Sequence, residues 1–418
     1  MKILWVTNVA PASSSSREGT SPSPLAGWIT SIAHLLEKEE SWTPIVAYPV
    51  AKLDKPLDFS QALRDGHILF NPKMVDTPAF LAQWQDMLRT LQFEAVHLFG
   101  TELPHSLVVA NATKELGLPL IVNIQGLVSV IGDHITAGLQ DVKWHQMTLR
   151  SLLKGDSVKG LQRTYRSRGD REKAALRLAD YVIGRTEWDE ACARQLAPQA
   201  SYIKLNETLR EVFYEGDWDP DECKPFSIVM SQAKNPLKGL HFAVEMLSLV
   251  REEFPTATLT IAGRPPYYSN VLKQRLLGTQ YGTYVRNLVK KSGLSEALYF
   301  SGVKSDIDIK KLFLSSNVFL SASSIENESN SLSEAKSLAM PCVASYVGGV
   351  ASRIVHHETG YFYQHDAPYM AAYFIKSIFR DPYKSQKLGK LAQQSTRSSL
   401  SPEKNLEELL SIYRKVVF

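Results

Sequence analysis

The sequence predicts an α/β fold made of two doubly wound, Rossmann-like domains in tandem. Two observations predict it: short apolar runs typical of buried strands alternate with amphipathic helical runs, and this alternating series occurs twice. A polar, Asp-rich segment, 206–224, separates the two series. Such alternation is typical of a parallel sheet with helices on both faces. We therefore predict a first domain over 1–205, a second over 206–400, and a final helical segment over 401–418.

In the first series, short apolar runs bounded by turn residues indicate strands, and apolar residues at helical spacing indicate helices. The predicted strands are 2–6, 44–48, 67–70, 94–99, 120–124, 181–184 and 202–204. The predicted helices are 25–37, 77–91, 104–116 and 187–196. Between the first strand and the first helix, 8–24 is rich in Ser, Pro and Gly, which predicts a mobile loop. No G-x-G-x-x-G follows this strand, which counts against a dinucleotide-binding dehydrogenase.

The second series follows the same logic. Its predicted strands are 226–230, 257–262, 298–300, 318–320 and 342–344. Its predicted helices are 237–251, 285–292 and 307–314, with a last helix over 403–416. In open parallel sheets, ligands bind beyond the carboxyl ends of the strands, so the loops at those ends are the places to look for chemistry.

The stretch 325–349 contains two glutamates with seven residues between them, Glu326 and Glu334. The pattern from Ser331 to Glu334 has the form of a capping box, which predicts a helix start near Ser331. Pro341 predicts the helix end, since the residue before a proline is pushed out of the helical region. The polar residues before Ser331 place Glu326 on a loop.

This arrangement suggests two readings of the glutamates. A helix N-terminus carries unpaired N–H groups and a partial positive charge, so it can hold a phosphate beside Asn330 and Ser331. Glu334 could then accept hydrogen bonds from a ribose diol, and Glu326 from the hydroxyls of a sugar beyond the phosphate. In the alternative reading, Glu334 only closes the capping box and Glu326 is solvated.

The stretch resembles the nucleotide-sugar site of the retaining glycosyltransferases of family four, which have the GT-B fold. The resemblance is carried by Glu326, Glu334-Ala335, Ala339-Met340-Pro341 and Gly348-Gly349, in that order. The form of 326–335 is similar to a branch that builds bacterial surface polysaccharides. Glu328-Ser329 stand where the family has Phe-Gly. The resemblance implies that the two domains face a central cleft.

For the second domain, the resemblance implies a set of donor contacts. Lys238, followed by Gly239, matches a lysine that clamps the donor diphosphate, while Gln232 stands where the family has an arginine and Lys234 is the candidate to replace part of its charge. Gly263 ends a strand at the same edge of the cleft. Val303 lies in a loop similar to the one that holds the nucleotide base by backbone atoms.

For the first domain, the resemblance implies acceptor contacts. Gln125 occupies a place where the family often has a histidine near the reacting carbon, and glutamine cannot act as a base. His105 and Glu102 are polar candidates on a neighbouring loop; His105 could instead be a helix N-terminal residue satisfied by the backbone. Gly27 matches one glycine of a Gly-Gly turn near the acceptor and the donor pyrophosphate.

Composition bears on the cellular compartment of the protein and on its need for a metal ion. The chain has 418 residues, three cysteines without a C-x-x-C pair, and no apolar run of the ~20 residues that a membrane span needs. This predicts a protein of a reducing cytosol without a structural disulfide. No Asp/His cluster has metal-ligand spacing, so we predict that the protein binds no metal ion. We also predict no cofactor.

The net charge of +4 is unevenly distributed. The segment 143–177 holds ten Lys/Arg against three acids, a net +7, so the rest of the chain sums to −3. A basic segment on a near-neutral body predicts an anionic partner, such as the inner face of a cell membrane or the acceptor itself.

The resemblance implies a metal-independent retaining glycosyltransferase that uses a nucleotide sugar, with UDP-sugars among the candidates, and a glycan or lipid-linked glycan acceptor. Two alternatives stay open. One is a nucleotide-sugar epimerase of the same fold, and the other is an inactive GT-B subunit that only binds a partner.

Overall fold

The computed structural model describes residues 2–10, 27–36, 45–60 and 62–418. Most of the predicted loop 8–24, and the ends of the predicted helix 25–37, lie outside the described residues. The chain divides into two compact units. The first unit comprises Met1–Val130, Arg166–Leu209 and Leu400–Phe418, and the second comprises Ile131–Tyr165 and Arg210–Ser399.

The first unit is built on an eight-stranded sheet. Its strands are β1 Ile3–Thr7, β2 Ile45–Pro49, β3 Leu57–Asp58, β4 His67–Phe70, β5 Ala95–Phe99, β6 Leu120–Asn123, β7 Tyr181–Gly184 and β8 Ser201–Lys204. They lie in the order β3-β4-β2-β1-β5-β6-β7-β8, and β3 alone among these strands pairs antiparallel. The interior order, with later strands added on either side of β1, is that of a doubly wound sheet.

Both faces of this sheet are buried. Along β1, Leu4 and Val6 pack into one apolar cluster, while Ile3 and Trp5 pack into another. Since successive side chains of a strand point to opposite faces, a strand buried on both faces must be apolar throughout. This explains why the strand runs in the sequence are continuously apolar.

Helices cover the two faces and complete the first unit. They are α1 Gly27–Leu36, α2 Ala62–Asp65, α3 Pro78–Leu91, α4 His105–Glu115 and α8 Glu187–Leu196, with α5 Val128–Ile131 and α7 Val158–Leu176 at its boundaries. The last helix of the chain, α16 Pro402–Val417, also belongs to this unit. Its Tyr413 hydroxyl accepts a hydrogen bond from Trp5 Nε1 at 2.8 Å, which ties the end of the chain to the first strand.

The second unit is built on a six-stranded, fully parallel sheet. Its strands are β9 Ser227–Met230, β10 Thr258–Ile261, β11 Leu298–Phe300, β12 Val318–Ser321, β13 Cys342–Ser345 and β14 Tyr361–Tyr363, in the order β11-β10-β9-β12-β13-β14. Its helices are α6 Leu149–Lys154, α9 Leu240–Arg251, α10 Val271–Leu277, α11 Gln280–Lys291, α12 Asp306–Leu314, α13 Asn330–Ser337, α14 Pro368–Arg380 and α15 Pro382–Ser399. The predicted fold class, two Rossmann-like α/β units, is confirmed.

The division between the units differs from the predicted boundaries. Residues 131–165 were predicted within the first domain but group with the second unit. Long-range hydrogen bonds hold them there: Thr148 Oγ1 donates to the Gly278 carbonyl at 2.7 Å, and the Val158 amide donates to Gln280 Oε1 at 3.1 Å. Contacts over such sequence separations leave no local pattern that a reading of the chain could detect.

Candidate functional site

The carboxyl ends of the parallel strands in the second unit meet at one edge of its sheet. The loops that leave this edge are 231–239, 262–264, 301–303, 322–329 and 346–349. Backbone hydrogen bonds join neighbouring loops, from the Ser324 amide to the Leu237 carbonyl at 2.9 Å and from the Gly302 amide to the Gly263 carbonyl at 3.1 Å. The predicted donor-side residues therefore lie along one continuous edge.

Glu326 and Lys238 form an ion pair at this edge. Lys238 Nζ donates to Glu326 Oε1 at 2.6 Å, and Ser323 Oγ donates to the same oxygen at 2.6 Å. The Glu326 side chain is 12 % exposed and that of Lys238 is 32 % exposed. Two predicted catalytic residues that are far apart in the sequence are thus brought into contact, with the carboxylate oriented and the ammonium accessible.

Two glycines allow this close approach. Gly239 has φ +66°, and a Cβ there would overlap the carbonyl oxygen of Ala322. Gly348 has φ +47°, and a Cβ there would overlap the carbonyl oxygen of Glu326. The Gly349 amide donates to that same carbonyl at 3.0 Å. The backbone that carries Glu326 is therefore held between two turns that only glycine fits.

Helix α13 begins earlier than predicted, because its N-cap lies two residues before Ser331, the N-cap of the predicted capping box. Its N-cap is Ser329, whose hydroxyl accepts a hydrogen bond from the Leu332 amide, so the predicted Ser331–Glu334 capping box is wrong. The helix also ends earlier, at Ser337, rather than next to Pro341. Asn330 and Ser331 occupy its first turn and are half-buried, so the first-turn amides lie at the same edge of the sheet.

Glu334 has a partner that the sequence reading missed. Arg210 grips its carboxylate with two hydrogen bonds, Nε to Oε1 and Nη2 to Oε2, each 2.7 Å long. Burial raises the pKa of the Glu334 carboxyl, and the Arg210 guanidinium opposes that shift. Arg210 also pairs with Asp306 and lies over the Phe213 ring. Arg210 precedes the motif by more than a hundred residues in the linker region, where no spacing rule connects it to Glu334.

A third carboxylate of the motif, Glu328, is also paired. Arg353 Nη2 lies 2.6 Å from Glu328 Oε1, and the Glu328 side chain is almost fully buried. Lys336 Nζ donates to the Arg353 carbonyl, and burial lowers the pKa of Lys336 to about 8. Glu328, which stands where the family has a phenylalanine, thus takes part in a buried ion pair that supports loop 322–329.

The remaining donor-side candidates lie on the same loops. Gln232 and Lys234 are exposed on loop 231–239, and Val303 is exposed on loop 301–303. Among the described residues, apart from its own chain neighbours, none has an atom within 4 Å of the position that a Cβ on Gly263 would take, so the backbone there is open to a ligand.

Gln125, at the carboxyl edge of the first unit, belongs to a polar network. Its Nε2 donates to Asn123 Oδ1 at 2.9 Å and to Glu207 Oε1 at 2.5 Å. Arg185 Nη1 lies 2.6 Å from Glu207 Oε2, and both charged side chains are buried or nearly so. The amide of Gln125 is thereby fixed in orientation by a carboxylate that an arginine neutralises.

His105 does not face this edge. Its side chain is 1 % exposed and lies against the Phe70 ring, with a centroid distance of 4.7 Å. Burial lowers the pKa of His105 to about 4, so the imidazole is neutral at physiological pH. The catalytic role of His105 stays a prediction; its imidazole is packed in the core and is neutral.

Glu102, on the neighbouring loop, does lie at the carboxyl edge of the first unit. Asn8 Nδ2 donates to its Oε2 at 2.7 Å, and a Cβ on Gly100 would overlap the same oxygen. Burial, with a further contribution from the nearby Glu172 charge, raises the pKa of Glu102 to about 7.

Gly27 begins helix α1, and its carbonyl accepts a hydrogen bond from Ser31 Oγ at 3.0 Å.

The part of the chain that the structure describes contains neither a cluster of metal ligands nor a candidate membrane-spanning helix. No three His, Cys, Asp or Glu side chains come together there as a metal ion would require. No helix in those ranges is long and apolar enough to cross a membrane.

Comparison with known proteins shows what the second unit is similar to. Residues 217–395, which are less than half of the chain, match the family model of the glycosyl transferases group 1. Among curated proteins, the chain is 25 % identical over 183 residues to spore coat protein SA of Bacillus subtilis strain 168. That alignment covers 43 % of this chain and 46 % of the relative, which is less than half of either protein.

Solved structures extend the likeness to the whole fold. Sucrose-phosphate synthase from Thermosynechococcus elongatus has a TM-score of 0.70 at 15 % identity, over 100 % of this chain and 99 % of that one. Anabaena HepE in complex with UDP-glucose has a TM-score of 0.68 at 15 % identity, over 99 % of this chain and 100 % of that one. At such identities the likeness shows the fold alone, which is the GT-B fold that the sequence predicts.

Proposed function

We propose that this protein is a retaining glycosyltransferase that moves a sugar from a nucleotide-sugar donor to a glycan acceptor in surface polysaccharide synthesis. The observation that carries the proposal is the Lys238–Glu326 ion pair beside the first turn of helix α13, within a glycosyl transferases group 1 domain. A cation, a carboxylate and free helix N–H groups are the chemistry that a sugar diphosphate needs. A UDP-sugar is the proposed donor, since HepE was solved with UDP-glucose.

In this proposal, Lys238 and the α13 N-terminus hold the diphosphate, with Lys234 and Gln232 as further contacts from the exposed loop. The backbone at Gly263 and Val303 receives the nucleotide base. Glu334 binds the ribose hydroxyls, and Arg210 orients its carboxylate for that purpose. A carboxylate has more acceptor sites than the two hydrogen bonds from Arg210 occupy, so the pairing does not exhaust it.

Glu326 is proposed to bind hydroxyls of the donor sugar rather than to attack its anomeric carbon. Its Oε1 already accepts hydrogen bonds from Lys238 and Ser323, and such neutralisation lowers the nucleophilicity of a carboxylate. Departure of the nucleoside diphosphate builds negative charge, which Lys238 and the helix N-terminus stabilise where it develops. The acceptor hydroxyl then attacks the anomeric carbon from the face that the nucleoside diphosphate leaves, and the leaving phosphate assists this attack. Attack from that face retains the configuration of the anomeric carbon. The positive groups take the place of a metal ion.

On the first unit, Gln125 is proposed to contact the acceptor side of the reaction. Its fixed amide can orient a hydroxyl but cannot take its proton. The three cysteines, Cys192, Cys223 and Cys342, are free thiols, and we propose a cytoplasmic location on that basis.

The direct test is incubation with a panel of UDP-sugars and candidate acceptors, with and without EDTA, followed by measurement of released UDP and of the anomeric configuration of the product. We expect UDP release that persists in EDTA and that Lys238→Ala lowers, while the exposed control Lys291→Ala leaves it unchanged. Interconversion of sugars on an intact nucleotide would instead show an epimerase. UDP-sugar binding without turnover, over the whole panel, would show a binding subunit.

A further inference from the structure

Two short helices of the second unit, α6 and α10, pack against each other and present one face to solvent. Hydrogen bonds at their ends fix the pair: Thr148 Oγ1 donates to the Gly278 carbonyl at 2.7 Å, and the Gln280 amide donates to Ser151 Oγ at 3.1 Å. The helices are separated by more than a hundred residues in the sequence. Their common face is therefore a feature of the tertiary structure alone.

This face is strongly apolar although it is exposed. Trp144 is 75 % exposed, Leu153 79 % and Leu272 66 %, and Leu152, Val271 and Leu277 are each more than half exposed. So many exposed bulky apolar side chains, on two packed helices and on the turn at Trp144 that precedes α6, are typical of an interaction site. We call this face the α6–α10 surface.

The same surface is basic. Residues 143–163 contain five Lys/Arg and one acid, Asp156, which pairs with Arg150 at 2.9 Å. Residues 271–277 contain Lys273 and Arg275 and no acid. These two stretches therefore carry seven Lys/Arg against one acid, with a second acid, Asp141, two residues before the first stretch.

We propose that the α6–α10 surface docks on an anionic lipid bilayer. Each Lys or Arg near such a leaflet contributes about 1 kcal/mol, and the exposed leucines and Trp144 would enter the interfacial region. Trp is enriched at membrane interfaces because its ring is apolar while its N–H is polar. The helices are short, so the insertion is shallow and reversible.

The chemistry of the surface favours this occupant over two others. A second copy of the chain would bring two surfaces of the same positive sign together, which is repulsive. A glycan would present hydroxyl groups to leucine side chains that cannot bond them. An anionic bilayer complements both the charge and the apolar character at once.

The surface also corrects the extent of the predicted basic segment, 143–177. Residues 166–177 belong to the first unit, where Glu172 is buried and accepts hydrogen bonds from the Ser129 amide and hydroxyl at 2.8 and 2.6 Å. The docking surface is instead 143–163 together with α10, a helix that the sequence analysis does not predict. The proposal stands on this surface and not on the proposed sugar transfer, although docking would suit a lipid-linked acceptor.

The test is sedimentation with vesicles of phosphatidylcholine alone and of phosphatidylcholine with phosphatidylglycerol, at low and high salt. We expect pelleting with the anionic vesicles at low salt and its loss at high salt. Lys154→Ala combined with Lys273→Ala should weaken binding about 30-fold. Leu153→Gln combined with Leu272→Gln should weaken it roughly tenfold.

The matched control is Leu391→Gln combined with Ile307→Gln, since these side chains are 54 % and 55 % exposed elsewhere in the second unit. It should bind vesicles like the unaltered protein. All these side chains are exposed, so thermal unfolding should confirm that each variant folds. Equal binding to neutral vesicles, or no binding at low salt, overturns the proposal.

Concentration-dependent dimers that the Leu153/Leu272 variant abolishes would identify a second copy as the occupant. UDP release with a soluble acceptor should be unchanged in the leucine variant, which separates this proposal from the proposed function.

Discussion

The two units present similar sheets, but their buried carboxylates have different partners. In the second unit, each carboxylate of the motif is matched by a cation: Glu326 by Lys238, Glu334 by Arg210 and Glu328 by Arg353. In the first unit, Glu207 is matched by Arg185, whereas Glu102 and Glu172 accept hydrogen bonds from neutral donors. Burial raises the pKa values of Glu334, Glu102 and Glu172 alike, so the kind of partner is what distinguishes the two units.

This difference separates two chemical tasks. A compensated edge that keeps an accessible ammonium and a helix N-terminus suits an anionic group such as a diphosphate. Glu102, whose pKa burial raises to about 7 and which accepts a hydrogen bond from the neutral Asn8 amide, suits neutral hydroxyls, because its protonated form can donate as well as accept. The fold therefore fixes where ligands bind, and the pairing of charges decides which ligands each edge prefers.

The largest effect expected within this comparison is that of Glu334→Ala. Removal of one partner leaves the Arg210 guanidinium partly buried with only Asp306, and breaking a buried pair costs about 3–5 kcal/mol of unfolding free energy. A helix-cap role for Glu334 would predict only about 1 kcal/mol. Urea unfolding of this variant, with the exposed Glu358→Ala as control, distinguishes the two. A loss near 1 kcal/mol would return Glu334 to a minor structural role.

Lys238→Ala is expected to lower turnover roughly 100-fold, because it removes a cation where the leaving diphosphate gains charge. Its effect on the affinity for UDP should be smaller, since the contact strengthens in the transition state. Steady-state kinetics and UDP titration give the two quantities separately. A rise in KM with unchanged kcat would mean that Lys238 binds donor and transition state equally. Lys291→Ala serves as the control.

Gly239→Ala is expected to destabilise the second unit by about 1–3 kcal/mol more than Gly293→Ala. The two glycines have nearly the same φ, +66° and +65°, so the backbone strain of an alanine is shared. Only at Gly239 would the new Cβ overlap Ala322, whereas no atom lies within 4 Å at Gly293. Thermal unfolding of both variants measures the difference. Equal losses would show that the turn before α9 relaxes without cost.

The smallest expected effect concerns the first unit and pH. The pKa of Glu102 is raised from 4.5 to about 7, so the folded state binds this proton more tightly than the unfolded state. The stability that this protonation contributes is full below about pH 4.5 and is lost as pH rises to about 7. Glu102→Gln, which stays neutral, should therefore gain stability relative to the unaltered protein between pH 5 and pH 8. Glu407→Gln, an exposed change in the same unit, should show no such gain; a flat difference for Glu102→Gln would refute the shift.

Much of the architecture was predictable because strands buried on both faces must be apolar throughout. That rule located β1, β5, β6, β9 and β12 close to their observed bounds. The rule does not detect short edge strands such as β3. It also does not detect α10, whose exposed leucines do not follow the pattern of a core-facing helix.

The sequence by itself determined the two α/β series, the order of the motif around Glu326, and the identity of the polar residues at the strand ends. Local spacing carries that information, because strand and helix periods and turn glycines act over a few residues. Only the tertiary structure decided which charges meet. Lys238 pairs with Glu326 and Arg210 pairs with Glu334. Residues 131–165 join the second unit through contacts with Gly278 and Gln280. Each of these contacts joins residues that are far apart in the sequence, and local spacing does not encode such contacts.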